Sequence, residues 1–217
     1  MVRNLTDQEK RRRRMRRRIQ IVVIYTAIAI GLAWFFESQA TTTVIFVRHA
    51  EKAEQPADDP GLSPAGERRV AELTRQLADA DVVAGIDAIY VTRTRRSEDT
   101  ARPLAQRLGL DLVHYDSRAE NYEATVDRIV AENKGKIILV VGHSNTIPEL
   151  IANLGASKNV PEIAEFEYDN LYLVSIPWFG KTKTIRLRYG DPYRPGAITE
   201  EGDAVTLSDG NGASGNP

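Results

Sequence analysis

The 217 residues, 42% hydrophobic and 27% charged, suffice for one globular domain with a sizeable core and short appendages. The chain has no cysteine, which excludes disulfides, thiol catalysis and thiolate metal sites. The formal net charge of −1 hides an asymmetry, because residues 1–18 carry net +7 and leave −8 for the rest. The folded part therefore lacks the basic footprint that a nucleic-acid partner requires.

The first predicted element is a membrane helix over residues 19–36. This run of 18 residues has no charge, with only Gln20 and Thr26 clearly polar. At about 1.5 Å per residue it spans roughly 27 Å, close to a hydrocarbon core of about 30 Å. Trp34 and Phe35 stand where an interfacial aromatic belt would lie. The basic segment 1–18 abuts the opposite end, and the positive-inside bias places it in the cytoplasm with the remaining chain outside, in the periplasm if the cell has one. The same arginines are suited to anionic lipid headgroups. Ser38-Gln39-Ala40 also resembles a small-x-small cleavage site, so secretion after cleavage near Ala40 is the competing fate.

Residues 41–190 alternate strand-like and helix-like stretches, which predicts a three-layer α/β/α domain with a mostly parallel central sheet. Strands are predicted over 43–47, 87–91, 112–115 and 136–141. Helices are predicted from Ser63-Pro64 to about 80, over 95–108 up to Gly109, over 119–133, and over 147–154 up to Gly155. Serine can cap the first of these and proline is favoured at its first position. Residues 171–176 and 184–188 form a hairpin around Phe179-Gly180. The tail 191–217, rich in Gly, Asp, Ser and Pro, has no periodicity and reads as disordered.

Two of the three histidines stand where apolar strands end: Arg48-His49-Ala50-Glu51 after the first strand, Gly142-His143-Ser144 after the fourth. Carboxyl ends of parallel strands line the ligand crevice, so both imidazoles would enter one pocket. The stretch after the second strand, 92–101, brings Arg93, Arg95 and Arg96 to the same end of the sheet. Arg48 offers a planar fork that matches phosphate bidentately. Neutral imidazole can act as a nucleophile at pH 7, and several guanidinium and imidazole donors around one anion stabilise a phosphoryl-transfer transition state without a metal or other cofactor. His114, in Leu-Val-His-Tyr, has no such context and reads as structural. The acidic residues Glu51, Glu54, Asp58 and Asp59 read as a solvated loop. Ser144 lacks the Gly-x-Ser-x-Gly elbow of a serine hydrolase.

Arg48-His49-Ala50-Glu51, Arg96-x-x-x-Thr100-Ala101 and Gly142-His143-Ser144 together resemble the signatures of the histidine phosphatase superfamily, which includes cofactor-dependent phosphoglycerate mutases. The three occur in the family's order across roughly residues 43–175. The resemblance implies His49 as the phosphorylated nucleophile and Arg48, Arg96 and His143 as the phosphate pocket. Alignment on Thr100-Ala101 favours Arg96 over its neighbouring arginines, and Thr92, standing where the family usually has serine, is a further implied member of the phosphate pocket. For the general acid, Glu120 and Glu123 both qualify, and Glu120 is the choice. The implied activity is phosphate monoester hydrolysis on a phosphorylated small molecule or protein, phosphohistidine included. A mutase fits less well, since the domain is short and faces away from the cytosol. The alternative of another class is an inactive, membrane-tethered module that binds phosphorylated ligands.

Overall fold

The computed structural model describes residues 7–38, 41–79, 85–157 and 159–194. The tail expected to be disordered falls from residue 195 onward outside the described residues, as do residues 39–40 at the possible cleavage site.

Helix α1 (Asp7–Ser38) is longer than the apolar run that predicts it. The arginines at 11–14 and 16–18 are themselves helical and continuous with the apolar stretch, since arginine is among the better helix formers. Residues Arg11–Phe36 form one helix long and apolar enough to cross a membrane, and none of it is buried against the domain.

The domain follows as β1 (Thr41–Arg48), α2 (Pro64–Ala78), β2 (Ala88–Val91), α3 (Arg95–Leu108), β3 (Leu112–His114), α4 (Tyr122–Glu132), β4 (Ile137–Gly142), α5 (Thr146–Asn153), β5 (Asn170–Pro177) and β6 (Lys183–Arg188). The local signals set several of these limits. Ser63 caps α2 by accepting the Gly66 amide at 3.1 Å, with Pro64 inside the first turn. Such a cap contributes about 1 kcal/mol. Gly109 ends α3 at φ 68°, a left-handed conformation that glycine adopts without penalty. The helix expected from residue 119 is split instead: a single 3₁₀ turn, Ala119–Asn121, precedes α4.

The six strands form one sheet in the order β3-β2-β4-β1-β5-β6. β3, β2, β4 and β1 are parallel, whereas β5 runs antiparallel to β1 and pairs with β6 as the expected hairpin. Side chains on a strand alternate between faces, and both faces of β1 are apolar. Val44 and Phe46 pack with α4 and α5 through Val126, Ile129, Ile147 and Leu150. Ile45 and Val47 pack on the other side with α2 and α3 through Leu73, Leu77, Leu104 and Ala105. The three-layer α/β/α arrangement follows from those two cores. Near-continuous apolar strands such as Ile137–Gly142 are what a sheet covered on both faces requires.

Candidate active site

β1 and β4 lie side by side with Arg48 opposite Gly142, and the His49 amide extends that ladder by donating to the Gly142 carbonyl at 3.0 Å. The residues that follow the two strands therefore leave the sheet at one level. His49 and His143 meet edge to face with ring centroids 5.2 Å apart. Glycine at 142 suits the crowded strand end: a Cβ there would stand 2.9 Å from Tyr115 Oη and 3.0 Å from Thr146 Oγ1.

His49 Nδ1 lies 2.8 Å from the carbonyl oxygen of Ala50. A carbonyl only accepts, so Nδ1 carries the proton and Nε2 keeps its lone pair. Burial above all, opposed by the Ala50 hydrogen bond and aided by the nearby His143, Arg48 and Arg96, brings the His49 pKa down to about 3. Burial likewise brings His143 down to about 4, with Arg96 and Arg48 adding to the effect. Both imidazoles are neutral at physiological pH.

Arg48 is 5% exposed and held in place by residues far along the chain. Its Nη1 donates to the Ala164 carbonyl at 2.8 Å and the Glu167 carbonyl at 3.2 Å, and its guanidinium lies 4.2 Å from the centre of the Tyr168 ring. The Nε–H groups of Arg48 and Arg96 are buried without a protein partner. Orphaned cationic donors of this kind are costly unless an anion completes them. Arg48, His49, Arg96 and His143, together with Lys52, Ser144 and Asn145, line one cleft of about 340 Å³.

The structure also separates the three arginines after β2. Arg96, on the first turn of α3, enters the cleft, with Nη1 3.9 Å from Asp59. Arg95 turns to Asp99 at 3.5 Å. Arg93 lines a neighbouring cleft with Arg118 and Arg128. Thr92 stands behind His143 rather than in the cleft: its hydroxyl donates to Ser97 Oγ at 2.8 Å and is 3.0 Å from His143 Nε2. With the hydroxyl proton directed to Ser97, Nε2–H of His143 is the donor to Thr92. Glu120 sits on the 3₁₀ turn with its side chain 67% exposed and 3.7 Å from Arg118, so the structure does not bring it into the cleft. Glu123 is exposed on α4. His114 is bound by Glu98 at 2.8 Å, a structural contact.

Three contributors escape a reading of the sequence. Thr100, fully buried, accepts the Ala50 amide at 2.9 Å and donates to the Arg96 carbonyl at 2.7 Å, clipping the β1 loop to α3. Its position inside the Arg-x-x-x-Thr-Ala element is the signal that could have found it. Arg69 grips Glu51 with Nε at 2.8 Å from Oε1 and also donates to the Tyr189 carbonyl. Tyr168 covers Arg48 from a loop with no local pattern, and nothing in the sequence announces it. Among the described residues no group of His, Asp and Glu side chains could hold a metal ion.

The family described as histidine phosphatase superfamily (branch 1) matches residues 44–122. No curated protein sequence matches the chain. Among solved structures, a protein histidine phosphatase, SixA, complexed with tungstate superposes with a TM-score of 0.55 at 18% identity, over 67% of this chain and 96% of that one. A phosphoglycerate mutase from Plasmodium falciparum superposes at 0.51 and 14% identity, over 71% and 96% of the two chains. A mycobacterial glucosyl-3-phosphoglycerate phosphatase superposes at 0.50 and 14% identity, over 69% and 98%. At these identities the likeness is one of fold.

Proposed function

We propose that the chain is a member of the histidine phosphatase superfamily, whose model matches residues 44–122, and that it is a phosphatase working through a phosphorylated His49. One observation carries the reading: His49, with its Nε2 lone pair unprotonated, shares one cleft with the side chains of Arg48, Arg96 and His143. Arg48 and Arg96 hold the oxygens of the bound phosphoryl group, which spreads its transition-state charge over them, and His143 lines the same cleft with its ring oriented by Thr92. Nε2 attacks phosphorus, the bond from phosphorus to the leaving atom breaks, and a P–N bond forms. Water then attacks the phosphohistidine, the P–N bond breaks, and inorganic phosphate leaves with His49 restored. Thr92 and Thr100 are positioning residues in this scheme, acting through His143 and through the Ala50 and Arg96 backbone.

The lining of the cleft bears on the substrate. Its charged and polar groups are arginine, lysine, histidine, serine and asparagine. An alkoxide leaving group needs a proton at departure, whereas the imidazole of a phosphohistidine, protonated on its far ring nitrogen, leaves neutral with a conjugate-acid pKa of about 6.5. This favours a phosphorylated protein, phosphohistidine included, beside the small phosphomonoesters. Helix α1 tethers the domain to a membrane, with residues 1–18 in the cytoplasm and the catalytic domain on the far side.

The test is turnover of p-nitrophenyl phosphate and of a phosphohistidine peptide, in chelator, by the full chain and its His49→Ala variant. Hydrolysis by the parent that falls about 10³-fold or more in the variant supports the nucleophile, on the scale of lost nucleophiles elsewhere. A folded parent that binds vanadate and turns over neither substrate would replace the enzyme by a binding module.

A further inference from the structure

The turn between β5 and β6 places two aromatic side chains where the chain leaves the apolar helix. Thr41, the first residue of β1, pairs with Pro177, the last residue of β5, so the turn that follows Pro177 lies beside the end of α1. Trp178 is 61% exposed and Phe179 is 89% exposed at the tip. Phe36 of α1 meets Trp178 edge to face, with ring centroids 5.4 Å apart. Turn tips are ordinarily built from small polar residues, and this one is aromatic with Lys181 and Lys183 beside it. Gly180, at φ 118°, gives the turn a conformation that other residues rarely adopt.

We propose that the Trp178-Phe179 tip is a second membrane contact, seated in the same lipid interface as Trp34 and Phe36, and that it fixes the domain with its catalytic cleft facing away from the bilayer. The proposal rests on the reading of α1 as an anchor. Amphipathic aromatic rings favour the headgroup level, and lysines beside them complement anionic headgroups. The tip is continuous with the end of a membrane-length helix, which identifies the bilayer as its occupant. The direction follows from the strands. β1 begins beside the tip and runs eight residues to Arg48, a length of about 25 Å at about 3.3 Å per residue. The cleft opens at the far end of that strand. Phosphate groups of the surrounding lipid then lie out of reach of His49, and the substrate class narrows to soluble phosphorylated molecules and the soluble parts of phosphoproteins.

The composition supplies the probe, because the chain has two tryptophans, Trp34 and Trp178, and no cysteine. The full chain is reconstituted in phosphatidylcholine–phosphatidylglycerol vesicles whose acyl chains carry bromine, a contact quencher of tryptophan. Trp34→Phe leaves Trp178 as reporter, and Trp178→Phe leaves Trp34. A dye attached at Ala119→Cys, on the loop beyond β3 at the cleft end, reports orientation through energy transfer to acceptor lipids. The expected result is a blue shift and quenching of Trp178 comparable with those of Trp34, with little transfer from position 119. Quenching of Trp34 with a water-like, unquenched Trp178 would overturn the proposal while keeping the anchor. Strong transfer from position 119 would overturn the orientation. An unquenched Trp34 in a chain that does not float with the vesicles would overturn both, and would place the fault in the anchor.

Discussion

The imidazoles of His49 and His143 meet edge to face at 5.2 Å, and among the described residues neither has a carboxylate on its ring nitrogens: one is tied to the Ala50 carbonyl, the other to the Thr92 hydroxyl. A carboxylate partner would raise an imidazole's pKa, whereas neutral partners leave burial and the neighbouring guanidinium groups to lower it.

That arrangement sets the acid limb of the reaction. With His49 held near 3 and His143 near 4, both are neutral down to about pH 5, and protonation of His49 would remove the proposed nucleophile. Corrected for the ionisation of the substrate, kcat/KM should stay level from about pH 8 to about pH 5 and fall below that. A limb centred near 6.5 in the pH–rate profile would show an unshifted nucleophile instead. Stability carries the same sign. Each folded pKa lies below the ordinary 6.5, so between about pH 3 and 6.5 the unfolded chain binds more protons and acidification destabilises the fold. Above about pH 6.5 these two groups contribute no slope.

Arg48→Lys should be far from conservative. The lysine ammonium cannot span the Ala164 and Glu167 carbonyls while offering a planar fork to phosphate and a flat face to Tyr168. The expected loss is about 10²-fold in kcat/KM, on the scale of one lost transition-state donor, with vanadate affinity falling in parallel. Steady-state kinetics and inhibitor titration measure both.

Thr100→Val tests the clip between the β1 loop and α3. Valine keeps the shape but leaves the Ala50 amide without its acceptor in a fully buried setting. Stability should drop by about 1–3 kcal/mol, read from denaturant unfolding of the soluble part of the signal, and kcat should fall because His49 loses its fixed backbone. Thr100→Ser, which keeps the hydroxyl, should recover most of both.

Gly142→Ala should cost about 1–3 kcal/mol by overpacking against Tyr115 Oη and Thr146 Oγ1. Removing the nearest obstacle in Gly142→Ala/Tyr115→Phe should recover part of it, since Thr146 and Ile147 remain close. Additive effects in the thermal melts of the single and double variants would contradict this contact.

What the sequence announces is local. The limits of α3 at 95 and 108 follow from Gly109 and from apolar spacing, and the α2 start follows from Ser63-Pro64. The strand ends that carry His49 and His143 follow from apolar runs that stop at polar residues. What escapes it is long in sequence and short in space. Arg48 finds its carbonyl partners 116 and 119 residues away, and Arg69 joins Glu51 to the chain after β6. Periodicity has no term for such closures. Glu120 illustrates the same gap from the other side: its place after the third strand matches a family habit, yet a 3₁₀ turn and Arg118 hold it at the surface. The extension of α1 back to Asp7 escapes a hydropathy reading because arginine favours helix while opposing the membrane interior.

The backbone carbonyls that seat Arg48 belong to Ala164 and Glu167, just before β5, the first strand of the hairpin. A growing polypeptide exposes its histidine long before those carbonyls have been synthesised. Under the proposed mechanism, competence for phosphoryl transfer arrives late in translation, and a prematurely terminated product lacking that loop would be chemically silent.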